Sequence, residues 1–128
     1  ASSINNGILV LLGIEEDDDD DDVKYITHKI LKMRIFNDNQ KHMNFSVIDI
    51  DGSVMVVSQF TLCGDLKKGN RPSYIKAMSI DAAKGVYHSF INYISECYSK
   101  VESGVFQANM EINLINDGPV TLIIRSRD

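Results

Sequence analysis

Val54, Met55, Val56 and Val57 stand in a row. Successive side chains of a strand point to opposite faces, so this strand is apolar on both and belongs in the interior of the protein. A second continuous apolar run, GILVLLGI over residues 7–14, makes the same demand. The chain must therefore cover strands on two sides, which 128 residues with 44% hydrophobic content can do around one core. The run at 54–57 then ends in Ser58 and Gln59, polar groups whose burial costs stability unless partners satisfy them.

Elsewhere the periodicity changes. Ile26, Ile30 and Met33, with Thr27 and Leu31 beside them, predict an amphipathic helix over residues 23–33, capped by Asp22 or a neighbour. Residues 81–98 predict a second helix, with Ala82, Val86, Phe90, Ile94 and Cys97 as its apolar stripe. Between them, NFSVIDIDGSVMVVSQFTL reads as two strands around Asp51-Gly52, a pair suited to the positive-φ positions of a tight hairpin. The chain closes with MEINLI and VTLIIRS, two more strands separated by NDGP. Strand, helix, two strands, helix, two strands is the order of an α+β domain with helices packed on a sheet.

The net charge of −5 argues against a nucleic-acid partner until it is located. Eight of the 18 acidic residues form the block EEDDDDDD at 15–22, leaving 10 acids against 13 bases, a net of +3 for the rest. That block reads as a solvated loop whose last residues favour the N-terminus of the helix that follows. Lys67, Lys68 and Arg71 lie in GDLKKGNRPSYIKA, which is loop chemistry placed just after the polar strand end. Cys63 and Cys97 are far apart and lack metal-ligand spacing, so neither a zinc site nor a disulfide scaffold is expected, and a reducing compartment is. No apolar run approaches the roughly 20 residues of a membrane helix, and ASSINNG has no charged n-region, so a soluble, cytoplasmic protein is expected. The start enters the first strand almost at once, which points to upstream residues in the natural protein.

Nucleophilic chemistry finds little support. On a continued strand Ser58 shares a face with Val56 and Phe60, and Thr61 with Gln59, so Ser58 and Thr61 are not a ready-made pair. His28, His42 and His88 show no local arrangement that suggests a triad, and there is no nucleophile elbow or phosphate-binding glycine loop. NDGPVT, residues 116–121, is a turn in which Gly118 relieves the restriction that Pro119 imposes on its predecessor, and a Gly-Pro tip presents bare backbone.

Taken together, SQFTL at 58–62, the basic KKGNRPS loop, GVFQANM at 104–110 and NDGPVT resemble, in order and spacing, the D-aminoacyl-tRNA deacylases. GILVLLGI, KILKMRIF and KHMNFSV agree, so the resemblance covers essentially the whole chain. It implies one deacylase domain over residues 1–128, its sheets forming a barrel-like sandwich with two helices on one side. The implied activity is hydrolysis of the ester of D-aminoacyl-tRNA, and of glycine mischarged on tRNA, without metal or cofactor. It implies a homodimer in which Gly118 and Pro119 of one subunit enter the site of the other. Ser58, Gln59, Phe60 and Thr61 are the implied catalytic group, although no base is at hand to activate Thr61. Phe106 and Met110 match pocket-lining positions, with core packing as the alternative, and Lys67, Lys68 and Arg71 are candidates for tRNA phosphates. The family's opening strand is absent here, Gln107 and Asn109 stand where glycine and aspartate are common, and Cys63 where an aromatic is frequent. The competing reading is a non-catalytic nucleic-acid-binding module on the same fold.

Overall fold

A computed structural model describes residues 2–127. Its centre is a three-stranded parallel sheet in the order β1-β4-β5, built from β1 (Gly7–Leu12), β4 (Ser53–Ser58) and β5 (Val101–Ser103). β1 runs beside β4 along its whole length, Gly7 opposite Ser53 and Leu12 opposite Ser58. Parallel neighbours cannot be joined by a tight turn, so each connection crosses over through a helix. α1 (Asp20–Lys32) lies between β1 and β4, and α2 (Ile80–Cys97) between β4 and β5. Both crossovers step the same way along the sheet, so their common right-handedness puts the two helices on one face. There they pack against each other.

The core forms on that face. Val54 and Val56 of β4 are fully buried, together with Ile30 and Leu31 of α1 and Tyr87, Phe90 and Ile94 of α2. Each such aliphatic or aromatic side chain contributes about 1.5–3 kcal/mol on burial. Met55 and Val57 point to the other face and line, with the chain beyond β5 among others, a hollow of about 2600 Å³.

Several expectations are corrected. The Asp51-Gly52 segment is not a hairpin: residues 46–51 coil into a helical turn in which Ser46 and Asp49 cap each other, the Ser46 amide donating to the Asp49 carboxylate at 2.8 Å and the Asp49 amide to the Ser46 hydroxyl at 3.1 Å. Of the expected preceding strand only β3 (Met43–Phe45) forms, and it pairs antiparallel with the short β2 (Phe36–Asn37), not with β4. Asp51 does take a positive φ, 56°, and forms an ion pair with Lys100 at 2.8 Å. Residues 110–115 and 120–126 carry no strand, because no ladder partner lies beside them among the described residues, and Ile115 and Ile123 remain more than four-fifths exposed. The stripe of α2 holds at Phe90 and Ile94, with Val86 packed against the core, but Ala83 and Tyr87 are buried whereas Ala82 and Cys97 are exposed.

The first helix begins three residues earlier than its periodicity suggests, because of the acidic run. The Asp19 carboxylate accepts from the amides of Asp21 and Asp22, and Asp22 accepts in return from the Asp19 amide at 2.9 Å, a complete capping box. Losing such a cap costs about 0.5–2 kcal/mol. Asp18 turns the chain one step earlier, accepting from the Glu15 amide at 2.7 Å, and Arg127 reaches back to Asp18 at 2.6 Å and Asp22 at 3.3 Å. The acidic block is thus a largely exposed loop over residues 15–19, as expected, and its last three residues form the first turn of α1, set against the positive end of the helix dipole.

At Asp22, burial raises the carboxyl pKa, but the Asp19 amide, the Ser126 hydroxyl and Arg127 outweigh it, so the pKa lies below the ordinary carboxylate range. A depressed folded-state pKa means that the unfolded chain binds more protons, so this stabilisation is present above about pH 4 and disappears as pH falls through the folded value. Asp22→Asn should therefore lower the urea midpoint at neutral pH and flatten its decline as pH falls below about 4. Parallel acid limbs for wild type and variant would rule out this role.

Candidate active site

The three parallel strands all end toward the same edge, and in open sheets of this kind ligands bind beyond the carboxyl ends. The ends of β4 and β5 deliver expected site residues. β4 stops at Ser58, and the chain turns at once into a short 3₁₀ helix, Phe60–Cys63. The strand alternation expected for Ser58 to Thr61 therefore breaks after Ser58. Gln59 donates its amide to Leu12 at 2.8 Å, extending the ladder by one bond, so that N–H is unavailable to a ligand. Phe60 and Thr61 donate their amides to no carbonyl outside their own turn among the described residues. Ser58 and Gln59 are half-buried, and neither their side chains nor that of Thr61 has a protein hydrogen bond among the described residues. The strand leaves the interior where its polar residues begin, so Ser58 and Gln59 reach solvent and their burial is not uncompensated.

The turn is held from both sides. Cys63 directs its thiol to the Ile14 carbonyl at 3.6 Å, fastening the end of β4 to the end of β1. Phe60, 60% exposed, leans on Tyr74 with ring centroids 4.9 Å apart. Tyr74 was invisible to sequence reasoning because it lies on the far side of the basic loop, brought back by paired amides between Asp65 and Ser73, each 2.8 Å. Lys67, Lys68 and Arg71 project from the loop that this pairing closes, all exposed and none in an ion pair among the described residues.

At the end of β5, Gly104 donates its amide to the Val56 carbonyl at 2.9 Å and begins the turn carrying Phe106 and Met110, both half-buried. Phe106 packs on the core beside Tyr87, at 5.5 Å between centroids. The Gly118-Pro119 loop stands apart. The Asn116 side chain closes it, accepting from the Val120 amide at 3.2 Å and donating to the Thr121 hydroxyl at 2.9 Å. Gly118 precedes a cis bond to Pro119 and has φ 138°, a backbone angle that disfavours a side chain at that position. The tip is exposed, and no hydrogen bond connects it to Ser58–Thr61 of its own chain among the described residues. No histidine hydrogen-bonds to Ser58 or Thr61 among the described residues; His28 instead meets the Tyr93 hydroxyl at 2.9 Å between the helices. Among the described residues, no group of three or more metal-ligating side chains converges, and no helix is long and apolar enough to cross a membrane.

Comparison with known proteins then decides the family. The model of the D-Tyr-tRNA(Tyr) deacylase family matches residues 1–125. The chain belongs to that family. A D-aminoacyl-tRNA deacylase from Thermosipho africanus is 49% identical over 124 residues, covering 97% of this chain and 83% of that protein. One from Flavobacterium johnsoniae is 48% identical over 128 residues, covering 99% of this chain and 85% of the relative. Among solved structures, the c-Myc DNA Unwinding Element Binding Protein superposes with a TM-score of 0.89 at 40% identity, over 94% of this chain and 83% of that one. The two sequence relatives are deacylases, and so hydrolases, by name, and the α+β architecture with two helices agrees with the expected class.

Cys63 also tests the electrostatics of this turn. Burial pushes its thiol pKa up, and the nearby carboxylates of Glu15 and Asp18 push it further, so it stays protonated at neutral pH. Peptide mass spectrometry after brief iodoacetamide treatment at neutral pH should find Cys97, which is exposed, alkylated well before Cys63. Equal labelling would show that the turn is open and Cys63 not seated on β1.

Proposed function

We propose that this chain hydrolyses the ester linking a D-amino acid to the terminal ribose of tRNA, releasing free D-amino acid and tRNA, and that glycine mischarged on tRNA is also a substrate. The observation that carries this is that Ser58–Thr61 and the turn with Phe106 and Met110 follow the carboxyl ends of two adjacent parallel strands, in a chain that matches the family over residues 1–125. The reading extends to one deacylase domain over residues 1–128, working in the cytoplasm as a homodimer. Packing of residues 110–125 against the sheet would complete the family's barrel-like sandwich.

In this mechanism a water oxygen attacks the ester carbonyl carbon, the bond from that carbon to the ribose oxygen breaks, and the ribose oxygen leaves with a proton. The Phe60 amide, the Ser58 hydroxyl and the Gln59 side-chain amide stabilise the negative charge that develops on the carbonyl oxygen, as preorganised donors do. The ribose 2′-hydroxyl of the tRNA orients the attacking water, so no protein base is needed. Holding reactants in place is worth roughly 7–11 kcal/mol in favourable model reactions. Phe106 and Met110 flank the amino acid. Gly118 and Pro119 of the partner subunit face its α-carbon with bare backbone, leaving room for hydrogen but not for an L side chain. That arrangement is supported by the loop's exposure and by its lack of hydrogen bonds to Ser58–Thr61 within its own chain. Lys67, Lys68 and Arg71, free of ion pairs among the described residues, bind acceptor-stem phosphates.

One observation favours a second reading, a nucleic-acid-binding module without turnover: a solved structure 40% identical to this chain is named for binding a DNA unwinding element. Purified protein should cleave D-tyrosyl-tRNA and leave L-tyrosyl-tRNA intact. Binding of tRNA irrespective of the esterified amino acid, with neither ester cleaved, would favour the module. Thr61→Val should retain activity within about threefold in single-turnover assays, whereas loss of a true nucleophile costs on the order of 10⁴-fold or more. Replacing Lys67, Lys68 and Arg71 together by alanine should raise KM and reduce the salt slope by about one unit for each phosphate no longer neutralised, at unchanged kcat.

A further inference from the structure

Tyr87 is the one buried residue of α2 whose polar atom leaves the helix and joins two of the elements that carry the site. Its side chain is 2% exposed. Its hydroxyl donates to the Gly104 carbonyl at 2.9 Å and lies 3.4 Å from the Val56 carbonyl, which is itself taken by the Gly104 amide at 2.9 Å. One phenolic oxygen thus sits where β4, two residues before Ser58, meets the turn after β5. The ring packs at 5.5 Å, tilted by 40°, against Phe106. Met110 lies directly on the bare Cα of Gly104, where an added Cβ would stand 3.3 Å from both its Sδ and its Cε. Ring and hydroxyl together therefore hold Phe106 and, through Gly104, Met110 at a fixed distance from the end of β4. Burying a hydroxyl is costly, and a phenylalanine would fill the same volume without a polar atom. What the hydroxyl adds is geometry.

We propose that Tyr87 is a positioning residue for catalysis, setting Phe106 and Met110 against Ser58 and Phe60 so that the amino-acid end of the substrate meets the donors in register; this rests on the deacylase reading above. It does not touch substrate. Phosphate binding by the basic loop is independent of it, so its removal acts on the chemical step and leaves tRNA binding unchanged.

The experiment compares wild type, Tyr87→Phe and Gly104→Ala on D-tyrosyl-tRNA and follows the ¹³C-methyl signals of the methionines, with Met110 assigned from Met110→Leu. Tyr87→Phe keeps the ring in the core, and Gly104→Ala displaces Met110 from the opposite side. Each should lower kcat about tenfold while KM stays within about twofold, since an interaction felt only in the transition state changes kcat alone. The Met110 signal should shift in Tyr87→Phe while that of Met43, more than half exposed, stays in place. A wild-type protein inactive on the D-ester overturns the deacylase reading and this role with it. An active wild type with kcat unchanged in Tyr87→Phe, or with Met110 unmoved, overturns the role of Tyr87 alone.

Discussion

The parallel pairing of β1 with β4 is the contact on which everything else rests. It brings backbones close enough that a Cβ on Gly7 would stand 1.8 Å from the Ser53 carbonyl oxygen, so glycine at the start of β1 is a condition of the register. Once the strands run parallel, the chain must cross over, and right-handed crossovers in one direction bring α1 and α2 to the same face. The same choice collects three carboxyl ends at one edge. Ser58, the amide of Phe60 and the turn after Gly104 become neighbours because the strands that deliver them point the same way. An antiparallel partner for β4 at Asp51-Gly52 would have sent one of those ends to the opposite side.

That expected hairpin shows where sequence patterning ran out. The sequence of residues 44–47, NFSV, alternates polar and apolar as a strand does, but Ser46 and Asp49 are also spaced to cap a turn, and the capped turn buries Val47 completely. Periodicity does not separate the two, whereas hydrogen-bond bookkeeping in the fold does. The strands at 7–12 and 53–58 were legible because an apolar run on both faces has few other uses. In α2 Phe90 and Ile94 were legible, but in the first turns the buried positions are Ala83 and Tyr87, which periodicity passed over because Ala82 is as apolar as Ala83 and Val86 more so than Tyr87. A tyrosine counts as amphipathic in sequence, and only its hydroxyl's reach to Gly104 explains its burial.

The site was legible in the same uneven way. Ser58 and Gln59 stood out as polar residues closing an apolar strand, and the fold places them where the strand surfaces. What no pattern could give was how the polar groups divide their work: the Gln59 amide completes the sheet, while the amide of Phe60 has no acceptor outside its own turn among the described residues. Tyr74 and Tyr87 escaped notice because each reaches the site from a distant element, one across the basic loop and one from a helix. Side chains of that kind carry no local signature, since their partners are fixed by topology and not by spacing.

The charge balance carries the final step. A net charge of −5 suggests a protein that repels nucleic acid, yet eight of the acids lie in one block, and three of these, Asp18, Asp19 and Asp22, are engaged with backbone amides or with Arg127. Asp18 turns the chain, Asp19 and Asp22 cap α1, and the helix dipole takes up part of what remains. No such partner neutralises Lys67, Lys68 or Arg71 among the described residues. Exposed charges are screened beyond about 8–10 Å at moderate ionic strength, so a phosphate approaching the basic loop responds to the cations near it more than to the total. A polyanion approaching the loop that Asp65 and Ser73 close beside Phe60 and Tyr74 would therefore meet the field of its exposed cations, about which the acidic total says little.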